Sequence, residues 1–300
     1  MNGAFKTALN NYSQENSYMI QTAVQQIMLG KVTGTKEQAE RTLDAIRNAG
    51  YDGIELNHFM IHPSNLAVRA LTSFAGMPTG KGGALDWPVL MKTHSLTVPS
   101  LHCDLGTLEK KTSSVLEDVH ALGTDKVVIT GMYYYDYRSS EMVKDLAKRL
   151  NEAGRTLKED GVSLLYHNHN IELLRTEEGK LAFDTLMEET DTEYLNFELD
   201  SYWLADAGAN PVHWMKKLGP RMKLWHINDR GNRVRSTPIT PILRSDSMEL
   251  GYGNMDLPAL AKQAKENGIS AVILESHKNW AEGSPIRSLE LSAPYLHNLI

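Results

Sequence analysis

Residues 161–170, GVSLLYHNHN, place a short apolar run directly before a cluster of polar side chains. The run is nearly uninterrupted, as in parallel strands that are buried on both faces. Strand alternation puts His167 and His169 on one face of this predicted strand and Tyr166 and Asn168 on the other. The stretch therefore predicts a buried parallel strand whose carboxyl end carries reactive side chains.

Three further apolar runs end in the same way. They are YLNFELD at 194–200, ending in Asp200, MKLWHIND at 222–229, containing His226, and AVILESHKNW at 271–280, containing Glu275. In a closed parallel barrel, the carboxyl ends of the strands converge on one mouth, which is where barrel enzymes keep their chemistry. Together with His167, these positions become one candidate site for a divalent ion.

The rest of the chain predicts that such a barrel closes. Short apolar runs alternate with helical patterns eight times, which favours an α/β fold and a (β/α)8 TIM barrel. A doubly wound open sheet is the alternative, but the turn after the first strand, LGKVTGTKEQ, is a poor match to a Gly-rich phosphate loop. We expect a polar extension over residues 1–20 and one catalytic barrel domain over 21–300.

Several element boundaries follow from local signals. Thr35 and Gln38 have the spacing of a capping box, and Gly50 is a stop for the helix that they begin. Apolar periodicity predicts a long helix over 140–159 and another over about 108–122. The stretches 58–82 and 228–254 are predicted to be long loops, a length that is often functional.

Composition limits the classes of function. The 300 residues are 41% hydrophobic, which is enough for a large core, and the formal net charge is −6. Such a charge gives no general attraction to nucleic acid or to an anionic membrane. The single cysteine, Cys103, fits a reducing compartment, and neither a signal peptide nor an apolar span is recognisable. We expect a cytoplasmic protein that binds no nucleic acid and no membrane.

The candidate ligands His167, Asp200, His226 and Glu275 suit one divalent ion, with Mn²⁺ preferred and Mg²⁺, Co²⁺, Fe²⁺ or Zn²⁺ as alternatives. Such an ion would act as a Lewis acid on a substrate carbonyl and stabilise the enediolate that forms when a neighbouring proton leaves. Glu275 is a candidate for both ligand and base. A helix-capping role is the structural alternative for each residue.

Further candidates surround this set. His169 and Glu172 are possible catalytic acids or bases, and the fourth ligand stays open between His167, His169 and Glu172. The predicted substrate contacts have structural alternatives of packing or surface charge; they are Glu55, His102, Arg230, Lys278 and Trp203.

At this point the chain resembles the sugar phosphate isomerase/epimerase-like family of xylose-isomerase-like TIM barrels. The matching pieces run in family order and are GYDGIELN, GVSLLYHNHNIEL, LDSYWLADAGANP, HINDRG, ELGYGNMDLPAL and VILES. The resemblance implies one divalent ion, often Mn²⁺, held by Glu, Asp, His and Glu. Three of these positions carry over to Asp200, His226 and Glu275. His167 stands where the family's epimerases have a glutamate, which puts their two-base mechanism in doubt.

One branch that the chain resembles is the catalytic subunit of C-glycoside deglycosidases and related 3-keto-glycoside lyases. The resemblance implies a substrate oxidised at C3 that loses a proton from C2 before the aglycone leaves. A small partner subunit or a homo-oligomer would be consistent with the polar extension and the long loops.

The sequence thus predicts a metal-dependent isomerase, epimerase or lyase that acts on a keto sugar or keto-glycoside. A DNA-repair endonuclease of the same barrel superfamily would need more His and Glu ligands and a basic face, and the net charge of −6 argues against it. A non-catalytic sugar-binding barrel is the alternative from another class. Metal-dependent proton exchange would separate it from the enzyme.

Overall fold

The computed structural model describes residues 19–62, 85–132, 134–233 and 240–300. Residues 1–18, which make up most of the predicted extension, and most of the predicted loop at 58–82 lie outside the described residues. Among the described residues, no helix is long and apolar enough to cross a membrane.

Eight parallel strands form a closed barrel, which confirms the predicted (β/α)8 TIM-barrel fold. The barrel strands are β1 (Gln21–Gln25), β2 (Gly53–Asn57), β3 (Leu101–Cys103), β4 (Lys126–Thr130), β5 (Ser163–His167), β6 (Leu195–Asp200), β7 (Met222–Ile227) and β10 (Ala271–Leu274). Two short strands outside the barrel, β8 (Asp229–Gly231) and β9 (Asp246–Met248), lie between β7 and β10 in the chain. Each barrel strand pairs with its neighbour in chain order, and β10 pairs with β1 to close the ring.

The helices of the described residues follow the strands along the chain. They are α1 (Lys36–Asn48), α2 (His58–Ile61), α3 (Trp87–His94), α4 (Leu105–Lys110), α5 (Thr112–Leu122), α6 (Ser140–Glu159), α7 (Ala182–Glu189), α8 (Ser201–Asp206), α9 (Pro211–Leu218), α10 (Leu257–Asn267) and α11 (Pro285–Leu299). The long helix α6 has the predicted bounds, and its buried face consists of Val143, Leu146, Leu150, Leu157 and the small residues between them.

The first long helix begins as its sequence predicts. The Thr35 hydroxyl accepts a hydrogen bond from the Gln38 backbone N–H at 3.3 Å, and the Gln38 side chain accepts one from the Thr35 N–H at 3.2 Å. This reciprocal pair is a capping box that satisfies donors left over at the helix start. Gly50 follows the helix with φ +94°, a conformation that L side chains rarely adopt.

Two predicted elements differ from the structure. The helix predicted over about 108–122 is two helices, because the backbone at Lys111 leaves the helical region with φ −138° and ψ 37°. The predicted loop 228–254 contains the antiparallel pair β8 and β9, in which Asp229 faces Met248. Hydrophobic periodicity predicts neither the break in the helix at Lys111 nor the pairing of β8 with β9, because both depend on the local backbone conformation.

The carboxylate of Asp229, at the start of β8, holds the segment at 251–255 that precedes helix α10. It accepts hydrogen bonds from the backbone N–H groups of Gly251, Gly253 and Met255 at 2.9 to 3.1 Å. A Cβ at Gly253 would lie 2.3 Å from an oxygen of Asp229, so this close approach requires glycine. The contact joins the two sequence motifs HINDRG and ELGYGN in the fold.

The interior of the barrel consists of two chemically different layers. Six small or aliphatic side chains make up the apolar lower layer, two of them at successive inward positions of β10, and form their own cluster: Ala23, Val128, Leu165, Leu224, Ala271 and Ile273. Side chains alternate in direction along a strand, so the next inward position lies two residues further toward the carboxyl end. Those positions carry His167 on β5 and His226 on β7, and they begin the polar mouth layer.

Candidate metal centre at the barrel mouth

The four predicted ligands come together at the carboxyl ends of four neighbouring strands. His167, Asp200, His226 and Glu275 are all buried, and each offers one ligand atom within 4.8 Å of the others. In the strand register, Asp200 lies beside His226 and His167 lies beside Glu198. We call these four residues the mouth group. Neighbouring parallel strands therefore bring together side chains that are 26 to 108 residues apart in the sequence.

His226 connects the mouth group to a second set of acids beneath it. Its Nδ1 lies 3.0 Å from Glu275 Oε2, and its Nε2 lies 2.6 Å from Glu55 Oε2. One ring nitrogen thus faces the mouth group and the other faces a buried carboxylate. A carboxylate behind an imidazole fixes the tautomer and raises the basicity of the nitrogen that binds a metal.

The second set, which we call the inner group, comprises Glu55, His102, Glu198 and His226, with ligand atoms again within 4.8 Å of one another. Glu198 Oε2 lies 2.9 Å from His102 Nε2, 3.2 Å from His226 Nε2 and 3.2 Å from His167 Nδ1. Both glutamates are fully buried. The imidazoles therefore balance two carboxylates that have no access to water.

The charges of the inner group follow from these contacts. Burial alone would lower the pKa of His102, but the carboxylates of Glu55 and Glu198 outweigh burial and raise this pKa to about 10. The same two acids, with Glu275, raise the pKa of His226 well above its ordinary value despite its burial. The pKa of Glu198 lies well below its usual range, because His226 and His102 outweigh the effect of burial. Glu198 is thus an ionised partner of the imidazolium forms of His102 and His226, and a cation bound to His226 would take the place of one of its protons.

The pKa values of the two acids of the mouth group are shifted in opposite directions. Burial, and then the negative charge of Glu275, raise the pKa of Asp200 well above its usual range. For Glu275, the imidazoles of His277 and His226 outweigh burial and hold the pKa well below the usual range. The carboxylates of Asp200 and Glu275 have ligand atoms within 4.8 Å of each other, so they repel each other when both are ionised. A bound cation would remove that repulsion.

A cavity of about 110 Å³ opens beside the mouth group. Its lining includes His102, His167, His169 and Glu275, together with His277, which the sequence interpretation passed over. Burial, and then the neighbouring His167, lower the pKa of His169 to about 3, so this ring is neutral near pH 7. The cavity therefore presents neutral imidazole, imidazolium and carboxylate to whatever enters it.

Glu172 lies close to this site but does not belong to either group. Its carboxylate accepts hydrogen bonds from the Tyr166 hydroxyl at 2.8 Å and from the His169 backbone N–H at 2.9 Å. Tyr166 points out of the barrel, where its hydroxyl also contacts that of Tyr137 at 2.9 Å. These contacts make Glu172 an anchor for the loop after β5. Its predicted role as base or fourth ligand finds no support in this position.

The predicted substrate contacts separate into two kinds. His102 and Trp203 lie at the mouth, and the Trp203 ring is 5.7 Å from the ring of His169 and 5.8 Å from that of His277. Its indole Nε1 is buried without a hydrogen-bond partner among the described residues. Glu55, by contrast, is sealed beneath the imidazoles, and a direct substrate contact finds no support there.

The two predicted cationic contacts are occupied by acidic partners. Arg230 pairs with Asp206 and lies over the ring of Tyr202. Lys278 Nζ lies 3.2 Å from Asp246 Oδ2, and its side chain is 62% exposed. Neither residue is among those that line the cavity described above.

Glu198 is the main functional candidate that sequence reasoning missed. It lies two residues before Asp200 in LNFELD, so strand alternation places both side chains inside the barrel. This signal was present in the sequence. The signal is the inward row of the whole strand, in which Glu198 precedes Asp200, and not only the last residue of the strand.

Comparison with known proteins places this geometry in a family. The model of the xylose isomerase-like TIM barrel family matches residues 43–292. The chain belongs to this family. Membership agrees with the resemblance found in the sequence, whereas the resemblance to C-glycoside deglycosidases stays a prediction.

Individual family members are similar at low identity. An inosose dehydratase of Mesomycoplasma hyopneumoniae is 21% identical over 87% of this chain and 88% of that protein. A sugar phosphate isomerase/epimerase from Parabacteroides distasonis superposes with a TM-score of 0.70 at 22% identity, covering 95% of both chains. The IolI protein, solved with a bound zinc atom, superposes with a TM-score of 0.66 at 16% identity over 93% of this chain and 98% of that one. The structural matches bear on the fold.

Proposed function

We propose that the protein is a divalent-metal-dependent lyase for a keto sugar or keto-glycoside. It would remove a proton next to the carbonyl and then release a leaving group from the adjacent carbon. The observation that carries this proposal is the mouth group, in which two carboxylates and two imidazoles converge beside a cavity. The name of the dehydratase relative supports elimination, since loss of water is one form of it.

The donor set of the mouth group fits a divalent cation. Carboxylate oxygens and imidazole nitrogens, with no thiolate, suit Mn²⁺, Mg²⁺, Co²⁺, Fe²⁺ or Zn²⁺, and we propose Mn²⁺. His226 has a carboxylate behind its second nitrogen, as metal-binding histidines commonly do. When bound, the cation would supply Lewis-acid polarisation of the substrate carbonyl.

The proton transfers fall to residues that line the cavity. Glu275 is held in its ionised form by His277 and His226, so we assign it as the base that takes the proton next to the carbonyl. The electron pair of the broken C–H bond moves toward the carbonyl. It then returns as the bond from the adjacent carbon to the leaving oxygen breaks. That oxygen takes its proton from the imidazolium of His102.

Two further side chains at the mouth orient the sugar, namely His169 in the cavity lining and Trp203 beside it. His169 is neutral, so it can accept a hydrogen bond from a substrate hydroxyl. Trp203 offers an apolar face and an unpartnered buried indole N–H, which suits a ring that is apolar on one face and polar at its edge. Cleavage of a C-glycoside, a partner subunit and a cytoplasmic location stay predictions of the sequence.

Deuterium exchange from D₂O tests this function. Metal-loaded protein is incubated with a panel of ketoses, keto-cyclitols and 3-keto-glucosides, and uptake and product release are followed by NMR. We expect metal-dependent uptake and release of water or an aglycone from one substrate class, with both lost in Glu275→Gln. Glu152→Gln, on the outer surface of α6, is the matched control and should behave like the wild type.

The other outcomes are equally informative. Exchange without release of a leaving group would replace the lyase with an isomerase or epimerase. Substrate binding without any metal-dependent exchange would overturn the enzymatic proposal and leave a sugar-binding barrel. Full exchange by Glu275→Gln would remove Glu275 as the base.

A further inference from the structure

A third cluster of potential ligands lies outside the mouth. His58, His62 and Asp118 each offer one atom within 4.8 Å of the others. His58 and His62 are at the start and just past the end of the short helix α2, which directly follows β2. Asp118 lies on α5, which the chain reaches only after β3 and α4. The cluster therefore bridges two segments that are distant in sequence.

We propose that His58, His62 and Asp118 form a second cation site, suited to Zn²⁺, that ties the chain after β2 to helix α5. Two imidazoles and one carboxylate are common protein ligands of zinc, and they leave one position of a tetrahedral ion to water. No part of the catalytic proposal uses these residues, so the site is independent of it.

The distances within the cluster are close to those of a zinc centre. Ligand atoms about 2.0 to 2.1 Å from a tetrahedral ion lie roughly 3.3 Å from one another. His58 Nε2 is 3.5 Å from Asp118 Oδ2, which is near that spacing. His62 Nε2 is 2.6 Å from the same oxygen, a hydrogen-bond distance that must open by roughly 0.7 Å to admit the ion. The side chain of His62 is 42% exposed, so it has room for that movement.

The state of the imidazoles also suits a metal. The rings of His58 and His62 lie side by side, with centroids 4.6 Å apart. Burial, and then the neighbouring His62, lower the pKa of His58, which favours the neutral form that binds metals. His58 Nε2 is buried and has no hydrogen-bond partner among the described residues. A buried polar atom without a partner is costly, and a cation would satisfy it.

The position of the cluster indicates its consequence. Phe59, between the two histidines, lines the mouth cavity together with Asn57 at the end of β2. A cation on His58, His62 and Asp118 would therefore fix one wall of that cavity against α5. Its role would be structural, since the cluster itself is absent from the cavity lining.

The same chain offers an internal comparison. His94 Nδ1 lies 2.8 Å from Asp44 Oδ1, which resembles the His62–Asp118 contact, but no group of three ligands among the described residues includes this pair. If a histidine–aspartate hydrogen bond alone explained His62, the two pairs would behave alike. The variant His94→Gln is therefore the matched control.

Metal content measured by mass spectrometry tests the proposal on the full-length protein. Chelator-stripped samples are equilibrated with Zn²⁺ and desalted, and zinc per chain is compared between wild type, His62→Gln, Asp118→Asn, His94→Gln and Asp200→Asn. We expect His62→Gln and Asp118→Asn each to bind about one equivalent less than wild type, and His94→Gln to match it. Circular dichroism establishes that each variant is folded.

The Asp200→Asn variant separates this site from the mouth group. With the mouth group disabled, zinc should still raise the melting temperature, and adding His62→Gln should abolish that rise. Equal zinc content in wild type, His62→Gln and Asp118→Asn would overturn the second site, whatever the mouth group binds. If Asp200→Asn bound as much zinc as the wild type while His62→Gln bound less, the catalytic metal would be overturned and the second site would remain supported.

Discussion

The two layers inside the barrel differ sharply although the same strands build them. In the lower layer, residues such as Leu165 and Leu224 belong to one cluster of apolar side chains. Two positions further along the same strands, His167 and His226 lie among buried carboxylates. Moving one inward step along a strand thus exchanges apolar packing for a charged network.

The difference teaches where stability and chemistry are located. Apolar burial stabilises a fold by about 25 cal/mol per Å² of area. Buried ions give little net stability even when they are well paired, because desolvation offsets their attraction. The desolvation of the mouth layer therefore costs free energy that its ion pairs hardly recover. We expect for this reason that the mouth layer serves binding and catalysis.

The largest expected effect is from removing a charge from the inner group. Glu198→Gln takes one carboxylate from imidazoles that lie 2.9 and 3.2 Å away, leaving buried positive charge less well balanced. We expect the free energy of unfolding to fall by about 4 kcal/mol in the presence of a chelator. Urea denaturation measures it, with Glu152→Gln as the control. A loss within the range of that surface control would show that the network is not strongly ionised.

The second prediction concerns a cavity created in the lower layer by truncating one apolar side chain. Leu224→Ala removes a fully buried side chain from the apolar cluster and should lower the free energy of unfolding by about 3 kcal/mol. Cation affinity of the folded variant should stay nearly unchanged, since Leu224 lies beside Glu198 in the strand register but offers no ligand atom itself. Ile242→Ala, at a position that is 78% exposed, is the apolar control. Loss of cation binding in Leu224→Ala would mean that the two layers are not separable.

An effect of similar size concerns the pH dependence of stability and Glu172. Burial raises its pKa from 4.5 to about 7, so between these values the folded chain binds more protons than the unfolded chain. This contribution to stability is present at low pH and declines as pH rises from about 4.5 through 7, by about 3 kcal/mol. Glu172→Gln should flatten that part of the profile in denaturation experiments. Identical slopes in wild type and variant would contradict the raised pKa.

The smallest effect distinguishes two candidate ligands in the segment after β5. His167→Ala removes a member of the mouth group and should weaken Mn²⁺ binding by at least about 10-fold. Glu172→Ala should leave the affinity nearly unchanged, because its carboxylate contacts Tyr166 and a backbone N–H instead. Isothermal titration calorimetry compares the two. The reverse pattern would replace His167 with Glu172 as the fourth ligand.

The sequence predicted the barrel and the convergence of His167, Asp200, His226 and Glu275, because strand ends in a closed parallel barrel share one rim. Their roles as ligands remain predictions. Period-2 alternation encodes which side chains point inward, so Glu198 was also within reach. The inward or outward direction of a side chain can be read from the sequence of a single strand, without knowing which strands lie beside it.

Other features depend on contacts between distant segments. Glu172 was open between base, ligand and structural roles, and only the position of Tyr166 and the His169 N–H reveals the loop anchor. The pairing of Arg230 with Asp206 depends on how α8 meets the chain after β7, which no local pattern encodes. The same holds for Asp118, which meets His58 and His62 from another helix.

The most direct test of the central claim is a calorimetric titration of Mn²⁺ into chelator-stripped protein. Asp206→Asn, at a partly buried carboxylate outside the mouth group, is the control for Asp200→Asn. If the mouth layer exists to bind a cation, wild type and Asp206→Asn will bind Mn²⁺ alike and Asp200→Asn will lose one equivalent. Equal binding by all three proteins, or none by the wild type, would contradict the account.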